Sequence, residues 1–186
     1  EMNTLFIDTS SDNLLLAVSN GEAVFEKKIN NVKRHSKIIL NKIEELLSSN
    51  FMKITDINLI LVVVGPGSFT GIRIGVSTAN AIAKALNIKI IGLTSLELMM
   101  VNEPFGVALK DCKNNNYYFY NKENNKYGVI NIENFDLYKQ NQKVFLEYKP
   151  IKDIFSYVFE NKDIFDLKNT VTPFYIKTSS AKKRQS

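Results

Sequence analysis

The stretch LVVVGPGSFTGIRIGVSTANAIAKAL, residues 61–86, decides the fold of this chain. It begins with a run of apolar, mostly β-branched residues, which predicts a strand buried on both faces of a sheet. A glycine-rich turn follows, and then a helix that begins near Thr70 and carries Gly71 and Gly75 in its first turns. Many phosphate-binding loops are built from a strand, a glycine turn and a helix in this order. The glycines therefore serve either a phosphate or the packing of the helix.

The spacing of these glycines excludes the two common phosphate motifs. The Walker A loop has two glycines separated by four residues and followed by Lys and Ser or Thr. Here Gly67 and Gly71 are separated by three residues, and Ile72 and Arg73 come next. The dinucleotide-binding fingerprint requires a further glycine where Thr70 stands. A more general possibility stays open, because the N-terminus of a helix attracts anions and Arg73 lies near it.

Small residues form one face of the helix at 70–86. They recur at every fourth position, as Gly71, Gly75, Ala79 and Ala83. Because glycine inside a helix costs about 0.5–1 kcal/mol relative to alanine, two of them indicate a compensating close contact. A face without bulk lets another element approach the helix backbone, where dispersion contacts form. The residues leave open whether that element is the chain's own sheet or a helix of a partner.

The residues around this stretch predict a mixed α/β layer. Three short apolar runs before residue 28 are separated by turn-forming residues, which predicts an antiparallel meander. An amphipathic pattern predicts a helix at 35–49, and apolar runs predict strands at 59–64 and 89–93. Thr94 and Glu97 have the spacing of a capping box, which predicts a further helix. The order βββαβαβα is typical of helices packed on a sheet.

The second half of the chain repeats this pattern more weakly. Residues 105–132 again read as strand, polar turn, aromatic strand, turn and strand, with Asp111 in the place of Asp8. This similarity predicts an internal repeat. A strand at 143–148 and a helix beginning at Pro150 follow. We expect an N-terminal α/β domain at 1–102 and a shortened C-terminal α/β domain at 103–186.

Composition narrows the class of protein. The net charge of +5 is spread along the chain, and the one dense basic run is AKKRQS at 181–186. We interpret this run as a solvated tail, with nucleic-acid contact as the alternative. A single cysteine excludes an internal disulfide and fits a reducing compartment. Since no apolar run approaches the ~20 residues of a membrane span, we expect a cytoplasmic protein without a membrane segment.

Two residues are candidates for chemistry. His35 is the only histidine, so a metal site of paired histidines is excluded and any Ser-His-Asp relay must use this residue. An exposed or helix-capping role explains His35 more simply. Asp8 stands at a strand end, where it could hold a metal–phosphate complex. Alternatively, Asp8 accepts hydrogen bonds from the backbone N–H groups of Ser10 or Ser11 in the turn that follows.

Five segments together resemble the bacterial TsaB (YeaZ) family, over nearly the whole chain. They are LFIDTSSDNLLLAV, RHSKIIL, VVVGPGSFTGIRIGVSTANAIAKAL, IIGLTSLELM and VTPFYIKTSSAKK. The resemblance implies the fold of the actin, hexokinase and heat-shock ATPase superfamily. That fold has duplicated βββαβαβα domains, of which the second is truncated here.

The resemblance also implies a function. It implies a non-catalytic scaffold subunit that pairs with TsaD to form N6-threonylcarbamoyladenosine in tRNA. The implied assembly is a heterodimer with TsaD through the helix at 71–86, joined by the ATPase TsaE, with a homodimer when the chain is alone. Contact with tRNA is expected to be indirect. The implied interface residues are Gly71, Gly75, Thr78, Ala79, Ile82 and His35.

The chain lacks the parts that active relatives use. Those relatives hold ATP phosphates with glycine-bearing turns in both domains, whereas the turns here read DTSSD and DCKNN. One histidine cannot form the histidine metal site of TsaD. We therefore expect no catalytic residue, no metal and no cofactor. The alternative is a residual nucleotide-binding enzyme that depends on Asp8, or a peptidase acting on TsaD that depends on His35.

Overall fold

Two β-sheets organise residues 2–176, which are the residues that the computed structural model describes. The first sheet has the strand order β3-β2-β1-β4-β5. Its strands are β1 (Thr4–Asp8), β2 (Leu14–Ser19), β3 (Val24–Ile29), β4 (Leu59–Gly65) and β5 (Lys89–Thr94). The first three form the predicted antiparallel meander, and β4 and β5 extend the sheet in parallel with β1.

Helices α1 (His35–Ser48) and α2 (Phe69–Leu86) cover one face of this sheet. Alternate residues of β4, such as Ile60 and Val62, pack under these helices, while Leu61 and Val63 point to the other face. Every residue of β4 is buried. This confirms the prediction that the apolar run at 59–64 is a strand covered on both sides.

The second sheet has the same spatial arrangement as strands β3, β2, β1 and β4 of the first sheet. Its order is β8-β7-β6-β9, with β9 parallel to β6 as β4 is to β1. The elements are β6 (Val107–Asp111), β7 (Asn116–Asn121), β8 (Lys126–Asn131), α3 (Phe135–Asn141) and β9 (Val144–Phe145). Asp8 and Asp111 end the corresponding strands β1 and β6, as the sequence pattern predicts.

Helix α4 (Ile151–Glu160) and the segment after it return to the first sheet. The apolar side of α4 packs on the face opposite α1 and α2, where Phe155 meets Phe6 edge to face at 6.5 Å. Further along, the backbone N–H of Phe174 donates to the carbonyl of Val64 over 2.7 Å. The domain limits 1–102 and 103–186 stay a prediction, since residues 151–176 of the second range complete the core of the first sheet.

Two predicted elements are shorter in the structure. The capping pair forms, because Thr94 N donates to Glu97 Oε2 over 2.7 Å and Glu97 N to Thr94 Oγ1 over 3.0 Å. The helix is nevertheless a single 3-10 turn (Glu97–Met99). Three residues later Asn102 has a left-handed φ of 61°, a conformation that is incompatible with a continuing right-handed helix. The strand predicted at 143–148 forms only at Val144–Phe145. Beyond it, Lys149 N donates to the carbonyl of Leu98, which joins this segment to the turn after β5.

No helix within residues 2–176 combines the length and the apolar character that crossing a membrane requires. The basic run at 181–186 lies outside the described residues.

Candidate functional site

The glycine loop between β4 and α2 packs against the turn that follows β1. The N–H of Ser68 donates to the carbonyl of Ser10 over 2.8 Å, and Ser68 Oγ caps α2 by accepting from Gly71 N at 3.2 Å. Gly67 has a φ of +157°, and a Cβ at this position would overlap the carbonyl oxygen of Ser10. The glycine is needed for this close approach of two turns of the same chain.

Arg73, the cation near this helix terminus, is directed toward aromatic rings. Its guanidinium lies 4.0 Å from the ring centroid of Phe69, and its Nε donates to the hydroxyl of Tyr175 over 3.4 Å. A cation over an aromatic face is stabilised by the ring quadrupole.

The small-residue face of α2 contacts the chain's own sheet. Gly71, Gly75, Ala79 and Ala83 are all buried, and Thr9 lies against the first two of them. Thr9 Oγ1 donates to the carbonyl of Gly71 over 2.5 Å, and a Cβ on either glycine would overlap Thr9. The prediction that Gly71, Gly75 and Ala79 form a partner surface is therefore corrected, because this chain already covers them.

His35 is also internal. It is the first residue of α1, only 7% exposed, and its Nε2 lies 3.1 Å from the carbonyl oxygen of Asn13. This contact ties the start of α1 to the turn between β1 and β2. Of the two roles expected for His35, exposure is wrong, because the residue is buried at the start of α1, and its assignment to a partner surface is corrected for the same reason. The ring bonds to a carbonyl and not to a serine or a carboxylate, which gives no support to a catalytic relay.

The outer sides of α1 and α2 form an apolar groove that faces solvent. The groove has a volume of about 470 Å³, and its apolar lining consists of Leu40, Ile43, Leu47, Met52, Ile54 and Ile82. Leu40 is 62% exposed, whereas Thr78 and Ile82 are half-buried and lie one helical turn apart on α2. Of the six predicted interface residues, Thr78 and Ile82 alone are on this side of the helix.

Sequence reasoning missed two exposed apolar residues of this region. Leu40 belongs to the apolar pattern of the helix predicted at 35–49, but it stands about 100° around the helix from the inward-facing Ile39 and is 62% exposed. Phe51 follows α1, is fully exposed and has a left-handed φ of 57°. A bulky residue in the left-handed conformation is strained and uncommon. This conformation is visible only in the structure, so the sequence offers no signal that singles out Phe51.

A polar network fills the space between the ends of β1 and β6. Asp8 Oδ1 accepts from Ser10 N at 2.8 Å, as one of the two sequence interpretations predicts. Asp8 Oδ2 accepts from the hydroxyl of Tyr148 at 2.7 Å. Lys110 Nζ donates to Ser10 Oγ over 3.3 Å from the second sheet. Side chains from both halves of the chain therefore meet at the carboxylate that ends β1.

Burial and the charge of Asp8 shift the pKa values of the two donors in this network. Burial lowers the pKa of Lys110, and the negative charge of Asp8 opposes that shift. Burial, followed by the charge of Asp8, raises the pKa of Tyr148 well above its ordinary value. Tyr148 therefore stays protonated and donates to Asp8 at physiological pH. Among residues 2–176, no group of three His, Cys, Asp or Glu side chains is placed to hold a metal ion.

Comparison with known proteins identifies the family of this chain. A family model described as TsaD, tRNA N6-adenosine threonylcarbamoyltransferase, matches residues 24–153, which is more than half of the chain. The tRNA threonylcarbamoyladenosine biosynthesis protein TsaB of Bacillus subtilis is 37% identical over 102 residues, which cover 54% of this chain and 44% of that protein. The TsaB of Escherichia coli is 33% identical over 98 residues, which cover 53% and 42%. The chain belongs to the TsaB (YeaZ) family.

The fold of the TsaB family extends over nearly all of the chain. YeaZ from Pseudomonas aeruginosa superimposes with a TM-score of 0.69 at 13% identity, covering 95% of this chain and 100% of that one. This similarity confirms the predicted α/β fold, and together with the match to the TsaD family model it fits the actin, hexokinase and heat-shock ATPase type. The sequence alignments, in contrast, cover less than half the length of either TsaB relative.

Proposed function

We propose that this chain takes part in the formation of N6-threonylcarbamoyladenosine in tRNA, as a subunit that pairs with TsaD and does not itself catalyse the reaction. Its family and the names of its TsaB relatives support the pathway. The groove between α1 and α2 is the observation that carries the pairing. It exposes apolar side chains of two adjacent helices, α1 and α2, whose opposite faces pack on the first sheet.

The groove fits the apolar side of a helix from a partner. Leu40 stands at its margin with 62% of its surface exposed, and Ile82 faces it from α2. Burying one such side chain contributes about 1.5–3 kcal/mol, so a few of them form the centre of a stable interface. Thr78 lies one turn before Ile82 and contributes a small surface that lets a helix approach. The same groove serves a homodimer when TsaD is absent.

The network at Asp8 supports a role without catalysis. Tyr148 and Lys110 are bonded into the space between the two turns that hold phosphates in active relatives. A nucleotide would have to displace both side chains and leave Asp8 without its hydroxyl donor, which costs about 1–3 kcal/mol for a buried polar group. In the proposed cytoplasmic assembly, TsaE joins the pair and tRNA reaches it mainly through TsaD.

Replacing Leu40 by glutamate tests the pairing. Leu40→Glu places a charge in the groove, and a matched control, Leu137→Glu, places the same charge at a leucine that is 54% exposed on α3. Titration calorimetry with TsaD should show at least a 10-fold loss of affinity for Leu40→Glu and less than a 2-fold change for the control. Reconstituted tRNA modification should fall in parallel. Equal affinity of the two variants would refute the assignment of the groove.

A further inference from the structure

A positively charged surface lies between β3 and α1. Residues 27–37, KKINNVKRHSK, contain five basic and no acidic residues. Lys27 is bound to Glu45 at 2.6 Å. The other four, Lys28, Lys33, Arg34 and Lys37, are exposed, and none forms an ion pair with a carboxylate of residues 2–176. We name these four residues the basic loop.

Hollows flank the basic loop on both sides. The first, of about 440 Å³, is lined by Lys33, Arg34 and Lys37 of the loop, by Asn30 and Asn31, and by the apolar side chains of Ile29, Val32 and Ile38. The second, of about 380 Å³, lies between the loop and the start of α2 and is lined by Ser36, Ser68 and Thr70, with Asp12 as its one acidic residue. The N-termini of α1 and α2 both border this second hollow, so their dipoles add to its positive potential.

These groups match the phosphate backbone of a nucleic acid better than they match a protein. Lysine and arginine bind phosphates, and asparagine, serine and threonine side chains supply the additional donors that nucleic-acid contacts use. Lysine is depleted at the centre of protein interfaces, where aromatic residues are enriched. Three of the four residues of the basic loop are lysines, and the stretch 28–37 contains no aromatic residue other than the buried His35.

We propose that the basic loop binds the phosphate backbone of RNA directly. This proposal rests on the proposed function, in which the substrate of the assembly is an RNA. Arg34 and Leu40 are six residues apart, so the loop lies about 9 Å along α1 from the groove assigned to TsaD. A partner seated in that groove would lie beside the loop, so that the loop would add to RNA affinity by contacting an RNA bound at their boundary.

Charge reversal in the basic loop tests the proposal. The probe is a fluorescein-labelled tRNA transcript, titrated with the full chain by anisotropy between 50 and 200 mM salt. The variant Lys33→Glu/Arg34→Glu/Lys37→Glu should bind at least 10-fold more weakly at the lower salt concentration. Its slope of log affinity against log salt should fall in magnitude by about 2, because each phosphate contact contributes roughly 0.7–0.9. Thermal melting of each variant establishes that it is folded.

Two further variants make the result specific. Lys126→Glu/Lys152→Glu/Lys162→Glu makes the same change of charge at exposed lysines of other elements and should alter tRNA affinity less than 2-fold. Lys182→Ala/Lys183→Ala/Arg184→Ala removes the basic run near the end of the sequence. If this last variant loses the affinity and the loop variant keeps it, the proposal is wrong.

Pairing is measured separately, so the two proposals fail independently. The loop variant should bind TsaD with unchanged affinity by calorimetry, because its three positions lie outside the groove. A variant that loses TsaD and keeps tRNA affinity would assign the loop to a protein contact and overturn the inference. Loss of tRNA affinity with intact pairing supports it, whatever the Leu40→Glu experiment shows.

Discussion

Replacing Gly75 by alanine should destabilise the folded chain, although alanine is the better helix former. A Cβ at Gly75 would overlap Thr9 Oγ1, which donates to the carbonyl of Gly71. Overpacking of this kind costs about 1–3 kcal/mol, and loss of the hydrogen bond adds about 0.5–1.5 kcal/mol. The gain in helix propensity returns about 1 kcal/mol. The free energy of unfolding should therefore fall by roughly 0.5–3.5 kcal/mol, which a urea titration measures.

A second substitution isolates the contact. In Thr9→Ala/Gly75→Ala the overlapping hydroxyl is gone, and the two Cβ atoms stand 3.4 Å apart, which is tight but allowed. The double variant should be at least 1 kcal/mol more stable than the sum of the single changes predicts. Ala81→Leu is the control for added volume, because Ala81 is exposed on the same helix and should change stability by less than about 0.5 kcal/mol.

The reasoning would be refuted by either of two outcomes. Stabilisation of the chain by Gly75→Ala would show that the face of α2 has room for side chains. Additivity of the Thr9 and Gly75 effects within about 0.5 kcal/mol would show that they do not share a contact. In both cases the close packing of Thr9 against this face would be wrong.

Three further predictions concern contacts between distant parts of the chain. Tyr148→Phe removes the hydroxyl that donates to Asp8 and should lower the free energy of unfolding in urea by about 1.5–3 kcal/mol. Asn80→Ala removes two 2.9 Å hydrogen bonds to the backbone of Val171 and should speed amide exchange at residues 171–174, with β1 unaffected. Burial raises the pKa of Glu97, so the carboxyl group keeps its proton to a higher pH in the native state than in the unfolded chain. The melting temperature of the protein should therefore fall as pH rises above about 4. Glu97→Gln should flatten that dependence.

Each of these predictions has an outcome that contradicts it. Unchanged unfolding of Tyr148→Phe would mean that Asp8 is equally well solvated without the hydroxyl. Uniform acceleration of exchange in Asn80→Ala would mean global destabilisation and not release of one segment. A Glu97→Gln variant with the wild-type pH profile would assign the dependence to other groups. Glu103 is the comparison there, because its hydrogen bonds to Lys149 and Lys143 lower its pKa.

Local patterns predicted the elements whose signals lie within a few residues of one another. The apolar run of β4, the meander before it and the small face of α2 all follow from such patterns. Helix α3 has only seven residues, too few for a clear apolar period, and its local signal, the cap in which Asn134 Oδ1 accepts from Leu137 N at 3.0 Å, was not used to predict it. The helix predicted after Thr94 is only one 3-10 turn, although its capping pair forms. Two hydrogen bonds at the start of a helix do not extend it when a following residue, here Asn102, has a left-handed backbone conformation.

The candidate site depended on contacts that no local pattern contains. Thr9 and Gly71 are 62 residues apart, and Asp8 and Tyr148 are 140 residues apart. Periodicity established that α2 has a bulk-free face but could not say which element covers it. Likewise, the strand pattern predicted that Asp8 stands at the end of a strand. It did not identify the hydroxyl donor, Tyr148, which lies in a segment predicted to be a strand. The direction in which each face points is a property of the tertiary fold.

The position of α4 has a consequence for how the chain folds during synthesis. The side chains on one face of the first sheet, including Phe6 and Leu61, are covered by Ile154 and Phe155. These residues emerge from the ribosome only after the entire second sheet. Until then the first hundred residues present a bare apolar surface, at which chaperones and aggregation compete with folding. A fragment ending near residue 102 would keep that surface permanently, so the first sheet reaches its native state only together with the residues that close it.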